Sequence, residues 1–412
     1  MNKNLQRNNS LFNYSFFLKL LYIFFVIYDI DFTFSPSFTT ARISIVTIIL
    51  ILILKRKKIE FQRRTVNFLL VLLFLIACSI LQAAFSNDFT QTSRLFYFTV
   101  ISLLGAYFII PFIRSRNELL WLFLIACSIQ GVIVLYGFFV PAFKLTLETY
   151  IIYGANFGID NLYRSVGFSS SSGAALSVIQ CIGVISAGLL ITTNFRNGFT
   201  KIIVIVLGLV CFVSIFVVGR TGLWISFIFI SVMFGNNYRF ILSFAVLTIF
   251  FYYINLNALL ESATSGLSDF SVEYFSGWLG ESLDVSDNAT VNALNEMSIP
   301  PLDWDTLIGT GKISDSNGLN SSGNDMGYIQ TYYSLGLILT FVFYFSLLLF
   351  LKSFVKNSSN IKALYILIAI VFFADLKEPM LFKYALPFFI FSIFLIDKKS
   401  NLKAKISYES II

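Results

Sequence analysis

The chain has 412 residues, of which 57% are hydrophobic and only 12% are charged, with a formal net charge of +7. Because a soluble domain is usually about a quarter charged, this composition excludes a soluble enzyme, a nucleic-acid-binding protein and a disordered scaffold. It indicates an integral membrane protein. Histidine is absent, which excludes histidine-based catalysis, histidine metal sites and histidine pH switches.

Apolar runs that could cross a bilayer recur along the whole chain. Since a helical span needs about 20 largely apolar residues, we predict an all-α, polytopic membrane protein with about 12 transmembrane helices and one large external loop. The predicted spans are 11–28, 38–54, 66–85, 95–113, 118–140, 171–193, 202–218, 221–235, 239–257, 326–351, 361–376 and 380–396. They define three regions: spans 1 to 9 (1–257), the acidic external loop (258–325), and spans 10 to 12 with a cytoplasmic tail (326–412).

The orientation follows from the distribution of charge between alternate connections. The set that includes both termini holds 20 basic and 4 acidic residues, whereas the other set holds 8 basic and 18 acidic residues. Because Lys and Arg are retained on the cytoplasmic side, we predict that both termini are cytoplasmic. Lys19 is the only clearly mid-span charge.

The predicted external loop 258–325 carries eleven acidic residues and a single basic one, Lys312. Loops of this length are usually functional. Two interpretations remain open: a solvated acidic ectodomain, or a lid over a membrane-embedded site for a neutral, hydroxyl-rich substrate.

The cysteines indicate neither a disulfide framework nor a zinc site, since none is paired in the sequence and all lie in apolar runs (Cys78, Cys127, Cys181 and Cys211). They are typical of small core residues. The chain has no Walker motif and no metal-spaced cluster, so we expect no cofactor and no metal.

Basic residues on the predicted external side are exceptions to the charge pattern and therefore candidates for function. Arg164 precedes a serine run that can cap span 6, and Arg220 lies in a Gly–Arg–Thr–Gly turn between two short apolar runs. Thr221 can cap span 8. A guanidinium beside the free N–H groups of a helix N-terminus suits a phosphate or diphosphate. The structural alternatives are an interfacial arginine for Arg164 and an ion pair for Arg220.

Other charged groups occur at the external ends of predicted spans. The group Asp375–Pro379 with Lys383 favours a set of mutually neutralising salt bridges, and Arg94 lies near the end of span 4. Asp325, where the chain re-enters the membrane, could be a general base or a helix cap; the sequence favours the cap. Further candidates for the site are Arg94, Lys377, Glu378 and Tyr328.

These motifs resemble the Wzy-type O-antigen polymerases of the O-antigen ligase/polymerase superfamily. The matching features are the Arg–x–x–Gly segment before a Ser/Ala-rich span (Arg164 to Ala175), the turn at Arg220, and a large loop that ends in Asp–x–Gly–Tyr (Asp325 to Tyr328). The resemblance implies that Arg164 and Arg220 hold the diphosphate of a polyprenyl-linked glycan. Thr221 is also predicted to contact that diphosphate. The predicted catalytic residues are Arg220 and Asp325.

The resemblance also implies an activity and a location. The protein would polymerise undecaprenyl-diphosphate-linked repeat units into O-antigen or capsule-like polysaccharide, at the outer side of a bacterial inner membrane. Its expected partners are these glycan substrates, membrane lipids, a chain-length regulator and a flippase, with no nucleic acid. Ligases typically place a histidine near the end of the large loop, so its absence favours a polymerase. A ligase and a lipid-linked oligosaccharide flippase or other transporter remain the alternatives.

Overall fold

A computed structural model describes residues 14–36, 38–57, 59–153, 165–193, 197–235, 297–315, 320–355 and 361–409. Within these ranges the protein is helical and has no β-strand. Six helical stretches are long and apolar enough to cross a membrane: Arg63–Ser86, Thr90–Phe112, Arg116–Phe139, Gly173–Ile191, Gly198–Phe216 and Leu337–Val355. Shorter apolar helices accompany them. The protein is therefore a helical membrane protein.

The α-helices follow the predicted spans closely. They are α1 (Tyr14–Tyr28), α2 (Thr40–Leu54), α3 (Arg63–Ser86), α4 (Thr90–Tyr97), α5 (Gly105–Ile109), α6 (Arg116–Phe139), α7 (Pro141–Tyr150), α8 (Gly173–Ile191), α9 (Gly198–Phe216), α10 (Arg220–Phe234), α11 (Trp304–Ile308), α12 (Gly327–Leu335), α13 (Leu337–Val355), α14 (Ile361–Ala374) and α15 (Ala385–Glu409). Predicted span 239–257 and most of the predicted loop 258–325 lie outside the described residues.

Two predicted spans depart from regular α-helix. The sequence predicts one helix over 326–351, but Gly336, with φ of +87°, separates α12 from α13. A Cβ at Gly336 would lie 2.4 Å from the carbonyl carbon of Ile308, so both the backbone conformation and the close approach require glycine. Between α4 and α5, residues Phe98–Leu104 are π-helical, a rare form that frequently occurs at functional sites.

Helix α8 forms the centre of one half of the bundle. It is almost completely buried and packs against α6, α9 and α10. The apolar half of α15 fills the other half, where aromatic rings meet edge to face. The Phe98 ring centroid lies 5.5 Å from that of Phe343 and 5.8 Å from that of Phe391. Such aromatic packing explains the abundance of phenylalanine, with 48 in the chain.

Three of the four cysteines come together in this core although they are far apart in sequence. A Cβ at Gly183 would lie 2.5 Å from the Cys211 sulfur and 2.7 Å from the Cys127 Cβ. Cys181 is likewise fully buried, whereas Cys78 is only half-buried, and all four are free thiols. The interpretation as small core residues is therefore confirmed for these three.

One end of the bundle gathers the connections predicted to be cytoplasmic. The Lys398 ammonium bonds to the Gln62 side chain, the Arg64 guanidinium donates to the Ser353 carbonyl at 2.7 Å, and Arg116 pairs with Asp397 at 3.4 Å. Lys19 also points to this end, where its ammonium lies 2.5 Å from a carboxylate oxygen of Glu118. The mid-span lysine is thus neutralised by a structural partner.

The opposite end gathers the connections predicted to be external. The Ser170 hydroxyl donates to the Asp29 carbonyl at 2.6 Å, and the Ser165 amide donates to the Val217 carbonyl at 3.1 Å. The Gly327 amide donates to the Asp375 carbonyl at 2.9 Å. We call this the acidic end. The grouping of the connections into two sets therefore agrees with the charge pattern.

Candidate functional site: a cationic cleft with a buried carboxylate

Among the described acidic residues of the acidic end, Asp375 is the most deeply buried. It follows the last residue of α14, and its side chain is fully buried. One carboxylate oxygen accepts from the Tyr344 hydroxyl at 2.5 Å, and the other accepts from the Leu381 amide at 3.1 Å. A Cβ at Gly327 would lie 2.7 Å from the Asp375 Cγ. The start of α12 is therefore in direct contact with this carboxylate, which only glycine permits.

Burial makes this carboxyl a group that titrates near neutrality. Desolvation raises the pKa of Asp375 to about 6, while the hydrogen bonds from Tyr344 and Leu381 and the charge of Arg94 oppose the rise. An acid with a pKa close to the ambient pH can both accept and return a proton, which is the property that general catalysis requires.

Arg94 supplies a cation beside this acid. It lies on α4, one turn before the π-helical segment, and is half-buried. One guanidinium nitrogen donates to the Gln330 side-chain oxygen at 3.0 Å. Across the described ranges, no carboxylate lies within 4 Å of Arg94. Since a guanidinium carries five N–H donors, most of them are available to an anionic ligand.

Lys383 is a second cation in the same place. Its side chain is exposed to solvent, yet desolvation by the surrounding protein lowers its pKa; Glu378 opposes this effect and Arg94 adds to it. Arg94 and Lys383 influence each other electrostatically; we call the region around them the cleft, and it carries two positive charges.

Tyrosine side chains lie close to Asp375 and Arg94. The Tyr328 hydroxyl donates to the Phe372 carbonyl at 2.8 Å, and its ring lies 4.6 Å from that of Tyr344. On the other side, the Tyr384 ring lies 6.0 Å from that of Tyr97. Tyrosine hydroxyls are groups that can orient a hydroxyl-rich substrate.

A second region of the acidic end contains two adjacent helix N-termini. A Cβ at Gly219, which precedes α10, would lie 3.0 Å from the carbonyl oxygen of Gly173, the first residue of α8. The Gly222 amide donates to the Ser177 hydroxyl at 3.0 Å. The positive ends of both helix dipoles therefore lie side by side, and this environment favours an anion.

The structure describes no side chain for either of the predicted arginines, Arg164 and Arg220, so their positions follow from neighbouring residues. Arg164 lies outside the described residues, and of Arg220 only the backbone is described, as the first residue of α10. Ser165, directly after Arg164, bonds to Val217, directly before the turn that contains Arg220. The two predicted segments are thus neighbours.

The predicted caps are partly wrong. Gly219, not Thr221, is the N-cap of α10, and Met326, not Asp325, is the N-cap of α12. The amide of Met326 bonds instead to the Asn324 side chain at 2.9 Å, which leaves the Asp325 side chain exposed. Ser172 does precede α8 as its N-cap, although its side chain makes no capping hydrogen bond.

Asp375 takes no part in the salt bridges predicted for this group. Asp375 and Lys383 form no ion pair within 4 Å in the described part of the chain. Asp375 bonds to a tyrosine and an amide instead, and Lys383 is exposed. Lys377 and Glu378 are half-buried in the same loop.

Sequence reasoning gave too little weight to Asp375 and Lys383 and missed Gln330 and Tyr344. Asp375 and Lys383 lie in a loop with as many acidic as basic residues, so the sequence suggests that these charges neutralise one another. In the structure Asp375 is buried whereas Lys383 is exposed. Gln330 and Tyr344 lie within apolar runs, and a polar residue on such a run is the signal that could have found them.

The described residues contain no group of three or more Cys, Asp or Glu that could hold a metal ion. Comparison of the chain with protein-family models, curated proteins and solved structures finds no match.

Proposed function

We propose that this protein is a glycosyltransferase that polymerises undecaprenyl-diphosphate-linked oligosaccharide repeat units into O-antigen or capsule-like polysaccharide. The observation that carries the proposal is that Arg94 bonds to Gln330 on α12, whose first residue, Gly327, contacts the buried carboxyl of Asp375, with Lys383 in the loop that follows. The reaction needs positive charge for a departing diphosphate and a base for a sugar hydroxyl. Both are present within one cleft.

In the proposed reaction, a hydroxyl oxygen of one lipid-linked unit attacks the anomeric carbon of the glycan on a second carrier. The new glycosidic bond forms as the bond to the carrier diphosphate breaks. The hydroxyl proton passes to a carboxylate at the acidic end, and the electron pair of the broken bond leaves on the diphosphate. Asp375, which is fully buried, accepts this proton only if the segment that covers it moves, whereas Asp325 is already exposed. Arg94 and Lys383 stabilise the additional negative charge that develops on the diphosphate as this bond breaks.

Two lipid carriers must be held at once, and the acidic end offers two regions for anions. The cleft around Arg94 is one. The paired N-termini of α8 and α10 are the other, and Arg164, Arg220 and Thr221 remain the residues predicted to hold a diphosphate there. Asp325 remains a predicted alternative base, with an exposed side chain close to the start of α12.

We further propose twelve spans in a bacterial inner membrane, with both termini cytoplasmic and the acidic end facing outward. The grouping of basic residues at the opposite end supports this orientation. In this arrangement the cleft opens where exported lipid-linked units arrive. A flippase would supply these units, and a chain-length regulator would be a further partner.

The activity can be tested with the protein's own substrate. Lipid-linked units extracted from a strain that lacks the protein are mixed with the purified protein in lipid vesicles, and the glycans are separated on a gel. Polymerase activity converts single units into a ladder on the carrier. In a parallel mixture that also contains the surface acceptor, transfer to that acceptor without a ladder would instead indicate a ligase. Movement of units across the bilayer without new bonds would indicate a flippase.

A further inference from the structure

Residues 297–315, here called the strap, pack over the end of α3. The Gln82 side-chain amide donates to the Ile308 carbonyl at 2.7 Å, and the Ser86 hydroxyl donates to the Gly311 carbonyl at 3.2 Å. A carboxylate oxygen of Asp88 accepts from the Ile313 amide at 2.7 Å. The strap is therefore fixed at the acidic end, level with the last turn of α3.

One polar side chain of the strap, that of Thr306, is turned inward, whereas the charged side chains of Asp303, Asp305 and Lys312 are exposed. Helix α11 begins with a reciprocal cap, in which Asp303 accepts from the Thr306 amide at 2.8 Å and the Thr306 hydroxyl accepts from the Asp303 amide at 3.0 Å. Thr306 is buried. The cap fixes the direction of the neighbouring side chains.

The apolar side chains of the strap point outward. Four large ones are exposed by more than three-fifths: Ile299 at 71%, Leu302 at 69%, Trp304 at 75% and Ile308 at 62%. Large apolar side chains exposed together in this way mark a surface that contacts a partner or a membrane.

This apolar surface continues the lipid-facing side of α3. Leu81 is 64% exposed and Phe85 is 91% exposed, on a helix long and apolar enough to span the membrane. Gln82 and Ser86, which bind the strap, directly follow these two residues. The exposed side chains of the strap therefore lie where the lipid-facing surface of a span ends, which is the depth that tryptophan prefers in a bilayer.

We propose that the strap rests in the headgroup region of the bilayer, with Trp304 and its apolar neighbours as anchors. The occupant of this surface is a phospholipid interface, because the surface is continuous with the lipid-facing side of α3. The consequence is that the protein segment entering α12, and with it Gly327 against Asp375, is held at the membrane surface. The proposal does not depend on the proposed function.

The test uses a full-length protein in which Trp121, Trp224 and Trp278 are replaced by Phe, so that Trp304 is the only fluorophore. It is reconstituted in phosphatidylcholine vesicles whose acyl chains carry bromine near the headgroup. We expect the brominated lipid to quench the emission, and aqueous iodide to quench it far less than free tryptophan amide, because tryptophan at the headgroup level is in contact with lipid. A protein that retains only Trp224, 65% exposed on the apolar helix α10, is the positive control for lipid contact.

Two results would overturn the proposal. Full iodide quenching without lipid quenching would place the strap in water, and quenching by neither reagent would mean that protein, such as a second copy, covers it. If the single-tryptophan protein does not fold, an environment-sensitive label on a Leu302→Cys, Cys78→Ala protein with all four tryptophans gives the same readout. Blue-shifted, iodide-protected emission that brominated lipid quenches supports the proposal, and any other result overturns it.

Discussion

Arg94 is the residue on which the proposed site depends most. Its guanidinium is held by Gln330 and has no carboxylate within 4 Å in the described ranges, so its charge remains available to a ligand. Replacement of a comparable transition-state donor in other enzymes costs about 100-fold or more in rate.

We expect Arg94→Ala to lower polymerising activity by about 100-fold while the protein still inserts. Arg94→Lys should recover little, because a point charge does not replace a planar fork on a diphosphate. The measurement is ladder formation by purified protein on lipid-linked units. Lys312→Ala, at an exposed lysine of the same end, is the matched control and should keep full activity. Equal rates for Arg94→Ala and the control would remove Arg94 from the site.

Because of Asp375, we predict that lowering the pH decreases activity but increases stability. Burial raises its pKa to about 6, so activity should fall as pH decreases through about 6 and the base becomes protonated. Its pKa in the unfolded chain is about 4. Because the folded protein binds the proton more tightly, this group makes the fold more stable as pH falls from above 6 towards 4. Acid loss of activity would then not be unfolding.

The variant Asp375→Asn should be nearly inactive at every pH. Its remaining activity should no longer fall as the pH decreases through about 6, a fall that we call the acid limb of the profile. Asp303→Asn is the control, since an asparagine caps α11 as well as an aspartate does and the side chain lies on the strap. It should keep the wild-type profile. An Asp375→Asn protein with a normal rate and an unchanged acid limb would exclude Asp375 as the base.

Among the elements, α8 and α10 cross at a point where only glycine fits. A Cβ at Gly222 would lie 2.1 Å from the Ser177 carbonyl oxygen, whereas a Cβ at Gly198, at the start of α9, would meet nothing within 4 Å. The two glycines both lie in the first turn of an apolar helix, so they form a matched pair.

We expect Gly222→Ala to reduce stability by about 1–3 kcal/mol, because backbone must move apart to admit the methyl group. Gly198→Ala should be neutral or slightly stabilising, since alanine is the better helix former. Thermal unfolding of the purified proteins measures both. Similar melting temperatures for the two variants would show that α8 and α10 are not in close contact at this point.

The positions of the helices could be predicted from the sequence, but the interruptions within them could not. Apolar runs of about 20 residues define spans, and for this reason α3, α6 and α9 lie close to their predicted positions. The break at Gly336 interrupts no apolar run and follows instead from the approach of Ile308, a tertiary contact.

The cleft could not be predicted from the sequence, because it too depends on tertiary contacts. Its cations and its acid come from α4 and from the loop after α14, separated by some 280 positions along the chain. Sequence identified Arg94 as an exception to the charge pattern, but only packing shows that Asp375 is buried beside it and that Lys383 is not neutralised by it. The segments around Arg164 and Arg220 were singled out by local motif alone.

For the whole molecule, the orientation in the membrane is the first prediction to test. Cysteines introduced at Ser286 and Ser400 should label differently with an impermeant reagent in intact cells. We expect Ser286→Cys to label from outside and Ser400→Cys to label only after permeabilisation, because the basic end is retained in the cytoplasm. External labelling at position 400 would invert the topology and close the cleft to exported substrates.

The most direct test of the central claim is the surface glycan of a deletion strain that carries either the wild-type protein or Arg94→Ala. The deletion should leave single repeat units on the surface, because synthesis, export and attachment belong to other proteins. The wild type should restore the ladder of longer chains, and the stably expressed Arg94→Ala protein should not. A normal ladder in the deletion strain, or in the strain with Arg94→Ala, would contradict the account.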